Sequence, residues 1–90
     1  MGPTTLLFLL SLPVLAGGPV VALDPGHGGE DLGQHIHGVQ ERHFALDLAS
    51  RTAAALTARG LTPFLTRFND EFVPLSDRVL RAEQVGAKAF

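Results

Sequence analysis

The sequence predicts an α/β fold: a partial, open, mostly parallel sheet with flanking helices, in the order β-loop-α-β-α-β. Three observations predict it. Pro19-Val20-Val21-Ala22-Leu23 is a short continuous apolar run that stops at Asp24-Pro25-Gly26, as a strand buried on both faces does. Glu41 to Arg59 has helical periodicity and closes on Gly60. A second strand and helix then follow in the same order, the pattern of parallel strands joined by right-handed crossovers.

Each element has its own signals. Gly26 to Gly38 reads as loop, with glycines at 26, 28, 29, 33 and 38 and little periodicity. In the first helix Ala45, Leu48, Ala49, Thr52 and Leu56 share one face, and Asp47 and Arg51 form an i,i+4 pair on the other. Its many alanines favour helix and permit close packing. Leu61 to Thr66 reads as the second strand, where Pro63 calls for an edge or strand-start position. Arg67 to Val73 is a polar loop. Pro74 to Val85 reads as the second helix, with Leu75, Val79 and Ala82 inward, Asp77 and Arg81 paired outside, and Gly86 at its end. Ala87-Lys88-Ala89-Phe90 opens a third strand. Two complete strands and two helices leave raw sheet edges and one poorly covered face. The chain therefore reads as the front portion of a larger domain.

Composition narrows the function classes. The 90 residues are 46% hydrophobic and 18% charged, with a formal net charge of -2 and no Cys. No cationic surplus exists to neutralise phosphates, so a strongly basic nucleic-acid binder is excluded. The apolar content argues against wholesale disorder. Without Cys there is neither a disulfide framework nor a thiolate metal site.

The first charged side chain is Asp24. Leu6 to Ala16 is an apolar run of ~11 residues, too short to span a bilayer core of about 30 Å. It suits the hydrophobic region of a secretory signal, and Val14-Leu15-Ala16 offers small residues for cleavage before Gly17. Met1 to Thr5 lacks the usual Lys or Arg, and a buried N-terminal segment is the competing reading. The expected organisation is a signal over 1–16, a domain portion over 19–90, export to the periplasm or envelope, and no stable membrane span.

Active groups in open α/β sheets collect at the carboxyl ends of strands. Asp24-Pro25-Gly26-His27-Gly28-Gly29 sits there. Its glycines let the backbone bend tightly and leave the His27 imidazole uncrowded. Imidazole is a good zinc ligand and a carboxylate is its common companion. Glu41, at the helix start, should fold back toward the same strand end, so His27 and Glu41 make half of a tetrahedral site. The bland readings are a solvent-exposed His27 and a Glu41 that complements the helix dipole. Gly28-Gly29 could also serve a phosphate-binding turn, although in phosphate loops the helix begins at the glycines. His35, His37 and His43 are more readily solvent-facing than metal-bound. Arg67 could bind a substrate carboxylate or pair with Asp70 or Glu71. Asp24 could orient a ligand or merely end the strand with a turn.

Val21-Ala22-Leu23-Asp24-Pro25-Gly26-His27-Gly28-Gly29, then Gly33 and Glu41-Arg42, resembles the opening of the zinc-dependent N-acetylmuramoyl-L-alanine amidases of the AmiC type. The likeness continues through Leu65-Thr66-Arg67, Asp70, Phe72-Val73-Pro74-Leu75, Arg78 and Ala82. It implies a peptidoglycan hydrolase that cuts the amide between N-acetylmuramic acid and the L-alanine of the stem peptide. By that pattern His27 and Glu41 match the first two ligands of Zn2+. The family's third ligand, a His on the third strand, and its general-base Glu have no counterpart up to Phe90. The 90-residue chain alone is then expected to be inactive and to bind zinc weakly. Leu32, where the family often has Pro, and the insertion-like His35-Ile36-His37 depart from the pattern. The alternatives are a non-catalytic peptidoglycan-binding remnant and a phosphate- or nucleotide-binding α/β domain.

Overall fold

The computed structural model describes residues 17–90. The expected signal over 1–16 lies outside the described residues. The elements are β1 (Val20–Leu23), β2 (His35–Ile36), β3 (Val39–Gln40), α1 (Glu41–Ala58), β4 (Thr62–Leu65) and α2 (Leu75–Gln84).

β1 is the centre of the parallel layer. On one side it pairs in parallel with β4, in register from Val20↔Thr62 to Leu23↔Leu65. On the other side Val21 forms a parallel bridge with Ala89. There the Lys88 N–H donates to the Val20 carbonyl at 2.8 Å, and the Ala22 N–H donates to the Ala89 carbonyl at 2.9 Å. The start of a third strand read at Ala87 to Phe90 is thus present. Pro63 fits within β4 for a specific reason. The N–H groups of Thr62 and Thr66 donate to the Pro19 and Leu23 carbonyls. Strand alternation then turns the Pro63 nitrogen to the outer edge, where no ladder bond is lost.

Both helices end by the same device. After α1 the N–H groups of Gly60 and Leu61 donate to Thr57 and Leu56 carbonyls. After α2 those of Gly86 and Ala87 donate to Glu83 and Ala82. Each is a Schellman closure that needs a left-handed residue, supplied by Gly60 (φ 83°) and Gly86 (φ 68°).

The packed faces differ from the expected ones in three places. In α1 the buried residue is Ala49, with Ala45, Thr52 and Leu56 half-buried beside it, whereas Leu48 is exposed. Close packing on β4 uses the alanine side of the helix and leaves the bulkier Leu48 on its flank. In α2 the buried residues are Arg78 and Ala82, while Leu75 is 80% exposed and Val79 is also exposed. Leu75 stands in the first turn, at the rim of a cavity it shares with Gly26, His27 and Arg78. Arg81 does not pair with Asp77. Its Nη1 donates to the Thr66 carbonyl at 2.6 Å and lies 4.0 Å from Glu71. The expected Asp47–Arg51 pair is present at 2.9 Å.

The Gly-rich loop also holds a hairpin that periodicity did not reveal. β2 and β3 pair antiparallel, His35↔Gln40 and Ile36↔Val39. The two residues between them, His37 (φ 52°) and Gly38 (φ 77°), are both left-handed, as a type I′ hairpin turn requires.

That turn makes a prediction. Gly38→Ala should lower stability by about 1 kcal/mol, because an L side chain resists positive φ. His37→Asn should be neutral or slightly stabilising, since Asn tolerates that region. Thermal melts of the two variants check the pair, and a large loss in His37→Asn would contradict the turn assignment.

Candidate metal centre

The chain leaves β1 at Asp24 and turns through three successive left-handed residues, His27 (φ 64°), Gly28 (φ 129°) and Gly29 (φ 56°). Gly28 is required by contact as well as by φ, since a Cβ there would stand 2.0 Å from the Glu71 carbonyl oxygen. Gly28 and Asp31 then exchange main-chain hydrogen bonds of 2.8 and 3.0 Å. This closes the turn and brings the Asp31 side chain beneath His27. His27 Nδ1 lies 2.9 and 3.0 Å from the two Asp31 carboxylate oxygens. A carboxylate only accepts, so Nδ1 carries the proton and Nε2 faces the other way.

Nε2 faces Glu41. The distance from Nε2 to Glu41 Oε2 is 3.2 Å, with the side chains 32% and 42% exposed. Glu41 is held from both ends of its residue. Its own N–H donates to the Gln34 carbonyl at 2.7 Å. Its Oε1 accepts from the Gln34 N–H at 2.9 Å. The loop carbonyls of Leu32 and Gln34 thus satisfy the first N–H groups of α1, in place of a side-chain cap. Gly33 passes directly over the pair. A Cβ there would lie 2.7 Å from Glu41 Cβ and 2.8 Å from His27 Cδ2, at a φ of 68°.

The charges follow the contacts. The hydrogen bond to Asp31 raises the His27 pKa above its ordinary value against the lowering effect of burial, and Glu41 adds to the rise. The same bond lowers the Asp31 carboxyl. Glu41 is lowered chiefly by the Gln34 N–H and then by His27. The corner therefore favours positive charge between two anions, which either a proton or a metal cation supplies.

The donor spacing can be tested against a metal. Zinc–nitrogen and zinc–oxygen distances of about 2.0–2.2 Å at a tetrahedral angle put two ligand atoms about 3.3–3.5 Å apart. The observed 3.2 Å is close to that. Asp31 on Nδ1 is the carboxylate–histidine arrangement that orients metal-ligating imidazoles. Among the described residues no group of three or more His, Cys, Asp or Glu could hold a metal ion. His27 and Glu41 fit as two donors of a larger set.

Other sequence candidates are placed elsewhere. Arg67 is turned inward to the main chain. It is fully buried, and its guanidinium donates to the carbonyls of Pro25, Gly26, Asn69 and Arg42 at 2.7–2.9 Å. Neither Asp70 nor Glu71 is its direct partner, because main-chain carbonyls saturate it. Desolvation, with repulsion from Arg78, lowers its pKa. Asp24 does not touch His27; its Oδ1 accepts from Thr66 Oγ1 at 2.7 Å and Arg78 Nη1 at 2.9 Å. His35, His37 and His43 are exposed. The glycine turn is no anion cradle either. The Gly28 N–H is used by Asp31, the Gly29 N–H by Asp70 Oδ1, and α1 begins only at Glu41.

Sequence reasoning missed Asp31 and Gln34, and it named Gly33, Arg42 and Asp70 without their contacts. Arg42 Nη1 donates to the Gly29 carbonyl at 2.6 Å and lies 3.0 Å from Asp70, tying the helix start to the glycine turn. The available signal for Asp31 was an acid four residues after His27 inside a Gly-rich turn.

The fold and the two facing side chains define an α/β protein with a histidine–carboxylate corner at the carboxyl end of its central strand. Residues 21–90 match the family described as N-acetylmuramoyl-L-alanine amidase, and the chain belongs to that family. It is 45% identical over 73 residues to the N-acetylmuramoyl-L-alanine amidase AmiC of Neisseria meningitidis, covering 80% of this chain and 18% of that protein. With AmiA of Salmonella typhimurium the identity is 46% over 72 residues, 79% of this chain and 25% of the relative. Among solved structures it superposes on amidase AmiC2 of Nostoc punctiforme with a TM-score of 0.76 and 43% identity, covering 82% of this chain and 42% of the other. The chain thus spans a quarter or less of these two curated relatives and under half of that structure.

Two outcomes follow. Gly33→Ala should push His27 and Glu41 apart and weaken zinc binding by at least about tenfold, read by chelator competition. Arg67→Met should strip four main-chain carbonyls of their donor and cost roughly 3 kcal/mol or more. Denaturant unfolding measures that loss; an Arg67→Met protein of normal stability with a raised KM would instead restore a substrate-binding role.

Proposed function

We propose that this chain is the N-terminal part of a zinc amidase catalytic domain, over residues 19–90. The domain would cut the amide between N-acetylmuramic acid and the L-alanine of the peptidoglycan stem peptide. One observation carries the metal part of this reading: His27 Nε2 and Glu41 Oε2 face each other at 3.2 Å, each with its far atom tied down. Zinc, when bound, supplies a Lewis acid and a water whose pKa falls from 15.7 to about 7. His27 gives it a neutral nitrogen, Asp31 holds the opposite ring nitrogen protonated, and Glu41 gives it one oxygen while Gln34 retains the other.

Catalytic zinc sites commonly use three protein ligands and one open position. Two donors hold the ion weakly, and proton transfer to the leaving amine needs a further carboxylate. On this reading the third ligand and that base come from the part of the relatives' domain that this chain does not span. Residues 1–16 act as the export signal that delivers the enzyme to the cell envelope. Within the described residues no helix is long and apolar enough to cross a membrane.

The test uses purified protein, zinc and a muramyl peptide. The 90-residue chain alone should release no L-Ala-peptide; robust release would overturn the division of the site. In the full-length protein, His27→Ala and Glu41→Gln should each abolish release and lower zinc content. A full-length protein that holds zinc yet cleaves nothing would favour the binding-remnant alternative.

A further inference from the structure

We propose that Arg78 is the positioning residue for His27, fixing the left-handed main chain that aims the imidazole at Glu41. The proposal rests on the zinc reading of His27 and Glu41 given above.

Arg78 comes from α2, 51 residues along the chain from His27, and is 3% exposed. Its guanidinium spends its donors mainly on the ligand loop. Nη1 donates to Asp24 Oδ1 at 2.9 Å and to the Pro25 carbonyl at 2.7 Å. Nη2 donates to the His27 carbonyl at 2.7 Å, and Nε returns to Val73 at 2.8 Å. An arginine that served only to neutralise Asp24 would need one of these contacts. Here the planar fork spans the turn from Asp24 to His27 and references it to a helix.

The turn needs such a hold. His27 is not glycine, yet its φ is 64°, a region that disfavours L side chains by about 1–2 kcal/mol. The next two residues are left-handed glycines, which are free to relax. Among the described residues Arg78 is the donor found on the His27 carbonyl. Arg67 grips Pro25 and Gly26 but stops short of His27. If the His27 peptide rotates, the ring leaves both Asp31 and Glu41.

Charge and geometry predict opposite signs, which makes the role testable. The charge of Arg78 stands beside the site, since its Nη2 lies on the His27 carbonyl. A cation there opposes a bound cation, so by charge alone Arg78→Met should tighten zinc. A positioning role predicts weaker zinc in Arg78→Met and also in Arg78→Lys, which keeps the charge but loses the planar fork.

The experiment measures zinc dissociation constants by chelator competition on the full-length protein. The proteins are wild type, Arg78→Lys, Arg78→Met, His27→Ala and Ala49→Gly. Both Arg78 variants should bind zinc roughly 10–100-fold more weakly, and the His27 carbonyl 13C shift should move in the zinc-free Arg78→Lys protein. Ala49→Gly destabilises α1 away from the loop and should leave zinc affinity unchanged. Where Arg78→Met does not fold, Arg78→Lys decides. Zinc affinity and carbonyl shift unchanged in Arg78→Lys, or tighter zinc in Arg78→Met, overturn the positioning role alone. Zinc binding indifferent to His27→Ala overturns the zinc reading itself, and this assignment with it.

Discussion

Two buried guanidinium groups grip the main chain that leaves the central strand, and the geometry of the candidate site depends on that grip. Arg67 and Arg78 together bind the carbonyls of Pro25, Gly26 and His27. The buried apolar side chains among the described residues are small: Ala22, Ala49, Val73 and Ala82. Apolar burial of that size cannot hold a glycine-rich turn in one shape. A buried charge is costly unless fully partnered, so two adjacent arginines are stable here only while the turn presents its carbonyls to them. No buried side-chain nitrogen or oxygen among the described residues lacks a partner. The loop conformation and the partnering of the arginines therefore support each other, with the Asp24 carboxylate as a further partner of Arg78.

That condition propagates to His27 and Glu41 by separate routes. For His27 the route runs through its own carbonyl and through Asp31, which the Gly28 bridge brings to Nδ1. For Glu41 it runs through the helix start. Asp70 accepts the Gly29 N–H and pairs with Arg42, so the turn and the first helical residues share an anchor. Gly33 closes the remaining gap, where a Cβ would collide with both the His27 and Glu41 side chains. The result is that His27 Nε2 and Glu41 Oε2 are held 3.2 Å apart by contacts within the chain.

The alternation of strand and helix, both glycine helix ends and the His27–Glu41 pairing could all be read from residue order. Each rests on a local rule: apolar runs, 3.6-residue periodicity, and glycine at a left-handed cap. The misreadings have a common cause. Leu75 and Val79 are apolar at helical spacing and read as inward, yet the face of α2 that packs under the loop is led by Arg78. Arg67 and Arg78 lie under the loop because the carbonyls of a turning backbone must be satisfied there. Periodicity carries no information about where main-chain carbonyls will gather, so a buried arginine looks like a surface one. The β2–β3 hairpin escaped for a different reason. Its turn is His-Gly rather than the common Asn-Gly or Asp-Gly, and each of its strands has only two residues.

Strand direction bears on how a site of this kind is completed. The segment at Lys88 and Ala89 runs parallel to β1, with Ala89 level with Val21. Leu23, two residues further along β1, is then level with the position just past Phe90. A strand continuing in that register would bring its next residues beside Asp24 to His27, at the carboxyl end of the sheet. β4 contributes to the same end from the other side, through Thr66 on Asp24 and Arg67 on Pro25. Parallel neighbours of a central strand deliver their carboxyl ends to one place. His27 and Glu41 stand at that place, 3.2 Å apart.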